Sequence, residues 1–405
     1  MSVTFDPRTG QAQMAVTIPR PPVQIGQVLK ASDAADNDLF GRAVALSADG
    51  TRLVAGASSW EGTAGTDRGG VYTFAWTGAT WSQVGAVLEA ADAADLHEFG
   101  ASCAMSADGQ RLVVGASGWH NVGATTSRTG GVYTFAWNGA SWDQVGSVLI
   151  ASDARTGNKY GVAVALSADG TRLVVGDYFW DDTAVPTRNY GGVYTYAWTG
   201  TAWSEIAAPF RPADNVASDS FGWSLVLSAD GTRLVVGAAY WEGAVGTNRG
   251  GVYTFVWTGS GWSQVGSVLE ASDAADSDRF GYSVALAQGG LVLVVGVPDW
   301  EGAVGTGRGG VYRYIWTGSG WSQVGSVLEA SDAADSDNFG FSVALSADGT
   351  RLVVGSALWE GAVGTNYGGV YTYDVGLRIV GSLCVTGWSG QAYPAGAITF
   401  TPTLP

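Results

Sequence analysis

The sequence predicts an all-β protein, a six-bladed β-propeller of four-stranded antiparallel blades with extra β segments at both termini. Three observations carry this. A unit opening on Phe-Gly or Tyr-Gly recurs at Phe40, Phe99, Tyr160, Phe221, Phe280 and Phe339, with steps of 59, 61, 61, 59 and 59 residues. Each copy holds four short apolar runs bounded by turn residues, and no run has the 3.6-residue rhythm of a helix. In the third run Tyr72, Phe74 and Trp76 alternate with Val71, Thr73 and Ala75, a bulky face backed by a small one. A unit that cannot bury its own apolar face must stack on its neighbours. Radial stacking of such sheets leaves only short edges exposed.

In chain order, residues 1–22 precede the repeat as an N-terminal β hairpin and Pro-rich linker. Val3, Phe5, Met14, Val16 and Ile18 alternate across a PRTG turn, and Pro19, Pro21 and Pro22 stiffen the exit. Residues 23–375 form the propeller. In the fifth copy the strands are YSVALA, LVLVVG, GVYRYIW and SQVGSVLEA. Most copies join the first two by SADGTR, whose Asp-Gly suits a two-residue hairpin with positive φ. TGSG or a variant joins the last two. Gln24–Asp33, QIGQVLKASD, matches a fourth strand although no copy precedes it, and the last copy stops at Asp374 without one. The N-terminal strand is therefore expected to close the ring beside Val370–Tyr373. Residues 376–405 form a C-terminal β segment. Leu377–Gly387 also has the look of a fourth strand, so the chain holds one more than the ring needs, and a further strand is expected at Ala397–Phe400.

The Phe-Gly opening, the run into VVGA, the GVY strand and the W-x-Q-x-G-x-x-L-x-A-x-D lead-in together resemble the FG-GAP repeat family, especially its bacterial branch. The resemblance spans roughly residues 23 to 374. It implies a propeller fold. Integrin-type members are less similar, with seven blades and D-x-D-x-D-G calcium loops between the first two strands. Here that connection is SADG, as at Ser47–Gly50, and a single Asp cannot supply the ligands calcium takes. Those metal sites do not carry over.

Composition narrows the partners. A net charge of −16, with lysine only at Lys30 and Lys159, disfavours nucleic acid and anionic membranes. No apolar stretch approaches a membrane span, so no membrane insertion is expected. Cys103 and Cys384 are too few for a disulfide framework. The N-terminus shows no basic region followed by an apolar one, and no secretory signal is visible. An extracellular or virion-surface location is expected, reached by another route or within an assembly.

Function is sought on the rim that carries the long connections, strand two to three and blade to blade. Trp60, Trp119, Trp180, Trp241, Trp300 and Trp359 open the first of these loops. Glu61, Asp181, Glu242, Glu301 and Glu360 follow them, and Arg249 and Arg308 lie further along. A flat indole beside acidic and amide groups suits a sugar ring. The same tryptophans also suit wedges between blades, with the glutamates pairing the arginines. The crossovers carry D-x-x-D-x-D at Asp33, Asp36 and Asp38, at Asp273, Asp276 and Asp278, and at Asp332, Asp335 and Asp337. That set suits an oxygen-ligated Ca2+ or simple turn capping.

The histidines, His97 and His120, form no recognisable catalytic set, and no nucleophile motif or phosphate loop stands out. The expectation is a non-enzymatic structural or adhesive subunit of a virion appendage or extracellular fibre. It would assemble with itself, as a homo-oligomer or fibre, through terminal β strands, and its other partner would be a cell-surface glycan or protein. A lectin-like module using the Trp-acidic loops is the alternative, and a polysaccharide-degrading enzyme with a carboxylate pair stands third.

Overall fold

The computed structural model describes residues 2–6, 11–19, 21–33, 35–62, 65–120, 128–181, 189–214, 216, 218–243, 246–287, 289–302, 306–360, 366–375 and 377–385. Blade one runs Phe40–Leu46, Arg52–Ala57, Gly70–Trp76 and Trp81–Gln83, hydrogen-bonded in that order. Five further four-stranded sheets follow, with first strands at Phe99–Met105, Ala163–Leu166, Phe221–Leu227, Ser283–Ala287 and Phe339–Leu345. Each first strand touches the next, and the sixth touches the first. The expected six-bladed ring is thus the architecture found, and no helix is long and apolar enough to cross a membrane among the described residues.

The two faces of each sheet mesh as their side-chain sizes require. Tyr72 and Phe74, with Val44 and Leu53, pack on Ala344, Val353 and Val370 of blade six. On the other face, Ala45, Val54 and Val71 receive Phe99, Leu112, Tyr133 and Phe135 of blade two. Close approach is possible because the second strand carries glycine: a Cβ on Gly56 would lie 2.1 Å from the carbonyl oxygen of Gly100.

Polar contacts repeat from blade to blade. The fourth-strand indole donates backwards, as in Trp142 Nε1 to Thr73 Oγ1 at 2.9 Å and Trp262 to Thr195 at 2.9 Å. The hairpin arginine reaches forwards: Arg172 donates to the carbonyl of Gly231 at 2.7 Å and stacks 4.6 Å from the ring centre of Trp257. Both contacts lapse between blades five and six. Val292 stands where other copies have this arginine, and Val375 where its tryptophan would be. Likewise Arg313 replaces the threonine, and Pro22 the indole that would meet it.

That interface lies beside the seam. Val23–Gln24 pairs antiparallel with Tyr373 and Asp374, Ile25 N donates to Thr372 O at 2.7 Å, and Leu29 bridges Val370. In blade one Gln83 and Leu88 make the same contacts with Phe74 and Val71. The N-terminal strand therefore closes the ring, as its sequence indicates. The strand left over is not spare. Leu377–Val385 pairs with Gln11–Pro19, which pairs with Ser2–Asp6, in a three-stranded sheet. Chain contacts accordingly divide the protein into Pro22–Val375 and a second unit of Met1–Pro21 with Gly376–Pro405. The strand expected at Ala397–Phe400 lies outside the described residues.

Candidate functional site

The six loop tryptophans are placed first of all as packing residues. Each indole lies against the glycine that opens its own third strand: Trp60 on Gly70, Trp119 on Gly131, Trp180 on Gly192, Trp241 on Gly251, Trp300 on Gly310 and Trp359 on Gly369. All six belong to the apolar clusters between blades, and Trp180 and Trp359 are buried. Trp119 and Trp180 also donate to Asp92 at 3.1 Å and Asp153 at 2.8 Å. Glu61, Glu242, Glu301 and Glu360 are exposed beside them. Arg249 donates to Ala274 O at 2.6 Å and Arg308 to Ala333 O at 2.7 Å. Asp181 accepts from Asn189 N at 2.5 Å.

The aspartates of the crossovers each face a different partner. The first accepts the hydroxyl of the GVY tyrosine: Tyr72 to Asp33 at 2.7 Å, Tyr312 to Asp273 at 2.8 Å and Tyr371 to Asp332 at 2.9 Å. The second caps the strand-two-to-three loop in two crossovers, Thr247 N donating to Asp276 at 3.1 Å and Thr306 N to Asp335 at 3.3 Å; Asp36 holds the equivalent position in the first crossover. The third closes its own turn, Asp38 on Ala35 N, Asp278 on Ala275 N and Asp337 on Ala334 N, at 2.7 to 2.8 Å. Among the described residues no three acidic, His or Cys side chains are grouped to share a cation. Burial raises the carboxyls of Asp38 and Asp337 and brings Asp278 to about 6.

A different cluster emerges on the propeller axis. The first strands enclose a cavity of ≈ 110 Å3, lined among others by Arg42, Trp223, Tyr282 and Phe341, the residues that follow Phe-Gly. Their rings form an arc with two more, Tyr178 and Tyr240. Trp223 lies 4.5 Å from Tyr178, 5.4 Å from Tyr240 and 5.0 Å from Tyr282, which lies 4.7 Å from Phe341. Around the arc stand two ion pairs, Lys159 with Glu98 at 3.3 Å and Arg279 with Asp299. Ser117 also donates to Glu98, and Asn338 to Asp299 at 3.3 Å. Glu98, Arg279 and Asn338 occupy the position before Phe-Gly, where the backbone takes the left-handed φ of 55° to 58°. Holding non-glycine residues there costs energy and fixes the direction of their side chains.

No motif in the sequence singles out this cluster. Its signal was available as the positions where near-identical copies disagree. After Phe-Gly or Tyr-Gly stand Arg42, Ala101, Val162, Trp223, Tyr282 and Phe341; before the loop tryptophan stand Ser59, Gly118, Phe179, Tyr240, Asp299 and Leu358. With copies otherwise alike, only such positions give a six-fold ring one distinctive side.

The FG-GAP repeat model matches residues 26–74, 142–196, 203–255, 262–314 and 321–373. The chain belongs to the FG-GAP repeat family. The matched segments of this FG-GAP propeller run from a fourth strand into the third strand of the next blade. The first of them begins on the N-terminal strand that closes the ring. Comparison with curated proteins returns no match.

Proposed function

We propose that this FG-GAP propeller is a non-catalytic adhesive module that holds its ligand at the axial mouth, on an extracellular or virion surface. One observation carries the reading: five aromatic rings and two ion pairs converge where the copies cease to be alike. Four of these rings are half-buried and Tyr282 is buried, and apolar rings with a few placed polar groups are the usual make-up of a ligand site. The family's typically non-catalytic character agrees with it. The test is binding of the intact chain to a glycan array and to whole cells. Trp223→Ala is expected to lower binding at least about tenfold, on the order of 1.4 kcal/mol, with little change in melting. Trp241→Ala, in an outer loop, is expected to cost stability instead. Binding unaffected by Trp223→Ala removes the axial site, and no binding by the parent removes the adhesive reading.

A second reading, assembly into a fibre or appendage, is favoured by the terminal sheet. Ser2–Asp6 and Leu377–Val385 each pair on one side only among the described residues, leaving two edges for a neighbouring chain. Light scattering of the full chain is expected to show association that a chain ending at Asp374 lacks. Monomers in both samples at all concentrations would end this reading.

A further inference from the structure

The charges at the axial mouth do not balance, and the imbalance identifies a ligand class for the site proposed above. Lys159 is taken by Glu98, and Arg279 by Asp299. The backbone N of Arg42 donates to Leu39 O at 3.0 Å, but its guanidinium makes no hydrogen bond or ion pair among the described residues; it rests 5.4 Å from the ring centre of Phe341, and the residue lines the cavity. In a chain of net charge −16 this is a cation left over at the axis. A guanidinium offers a planar fork of N–H donors that matches a carboxylate, and in a partly desolvated site it holds one strongly.

The neighbouring surface suits a sugar. Trp223 sits among Tyr178, Tyr240 and Tyr282, and aromatic faces stack on the C–H side of a pyranose. Burial pushes the Tyr178 and Tyr282 phenols up to about 12, so both stay protonated and can donate to ring hydroxyls. Size sets the extent. At roughly 10–15 Å3 per water-sized group, a cavity of ≈ 110 Å3 takes about one sugar residue and not a polymer passing through. A doubly charged phosphate would need more than the single uncommitted cation.

We propose that the axial mouth binds a terminal acidic sugar, its one carboxylate clamped by Arg42 and its ring stacked on Trp223. The inference rests on the axial-mouth reading. It is tested by titrating the full chain, at millimolar ligand, with methyl glucuronide against methyl glucoside and with sialyllactose against lactose, following tryptophan fluorescence. At least one acidic probe is expected to bind about tenfold or more tighter than its neutral counterpart. Arg42→Ala should erase that preference, Arg42→Lys should retain part of it, and Trp223→Ala should weaken both members of the pair. Melting curves establish that the variants fold. Equal affinity for acid and neutral sugars, a preference that survives Arg42→Ala, or no binding of either acid overturns the inference. If glycans or cells still bind through Trp223, the mouth remains the site and only the acidic-sugar assignment fails. If Trp223→Ala changes no binding, the mouth itself is wrong.

Discussion

Arg172 joins two blades with two different groups: its Nη1 holds the Gly231 carbonyl at 2.7 Å while its guanidinium plane lies over Trp257. The same coupling is legible in sequence once the geometry is known, because the chain loses the arginine at Val292 and the tryptophan at Val375 together. A double-mutant cycle on Arg172→Ala and Trp257→Ala is expected to show a coupling of about 0.5 to 2 kcal/mol in urea unfolding. Additive losses would mean the stack contributes nothing beyond the two residues separately. Trp180 supports a stronger prediction. It is buried, lies on Gly192 and donates to Asp153, so Trp180→Ala should cost about 3 to 5 kcal/mol. A loss of only a few tenths would return this indole to the list of ligand contacts. Its double aptitude, as platform or as wedge, is why sequence left the choice open: an indole beside acidic residues has the same spelling in both roles, and burial alone separates them.

The seam is where a single element decides whether the ring exists. Gln24–Leu29 satisfies the open edge of Gly369–Asp374, so removing residues 1–31 exposes unpaired backbone groups and the apolar face beneath them. Removing only 1–21 takes away the terminal sheet and leaves the closing strand. Calorimetry is expected to show a sharply lowered melting temperature for the longer truncation and a propeller transition close to that of the full chain for the shorter one. Equal curves for the two would show that the strand is dispensable. Closure was readable because Gln24–Leu29 repeats the spacing of Gln83–Leu88, and a missing strand at one end matched a surplus at the other. The partner of Leu377–Val385 was not readable. Alternating apolar residues specify a strand but not which edge it joins, and its true neighbour, Gln11–Pro19, lies at the far end of the chain.

For the whole molecule, closing the ring brings Arg42 of the first blade to Phe341 of the sixth, a juxtaposition no local pattern encodes. The same closure buries acidic side chains, and this gives the protein an unusual dependence on pH. Burial lifts Asp177 to about 7, although Lys159 N and Phe179 N donate to it, and lifts Asp219 and Asp278 to about 6. Each binds a proton more tightly folded than unfolded, where an aspartate titrates near about 3.9. Their contribution is therefore complete below that value, declines as pH rises, and is lost above the folded values. His97 opposes the trend, since burial lowers its pKa and its contribution falls away on acidification below about 6.5. Three carboxyls outweigh one imidazole, and protonation also relieves repulsion in a chain of net charge −16. The hairpin carboxylates set the lower bound. Asp108, Asp169 and Asp230, held down by serine hydroxyls, contribute above the unfolded carboxylate pKa and fail below it. The melting temperature should thus rise from pH 8 to pH 5 and fall again in stronger acid. Asp177→Asn keeps an acceptor for both backbone donors without the charge, so it should raise the melting temperature at pH 8 and flatten the slope. A melting temperature that falls steadily from pH 8 to pH 5, in parent and variant alike, would show that these buried carboxyls do not govern stability.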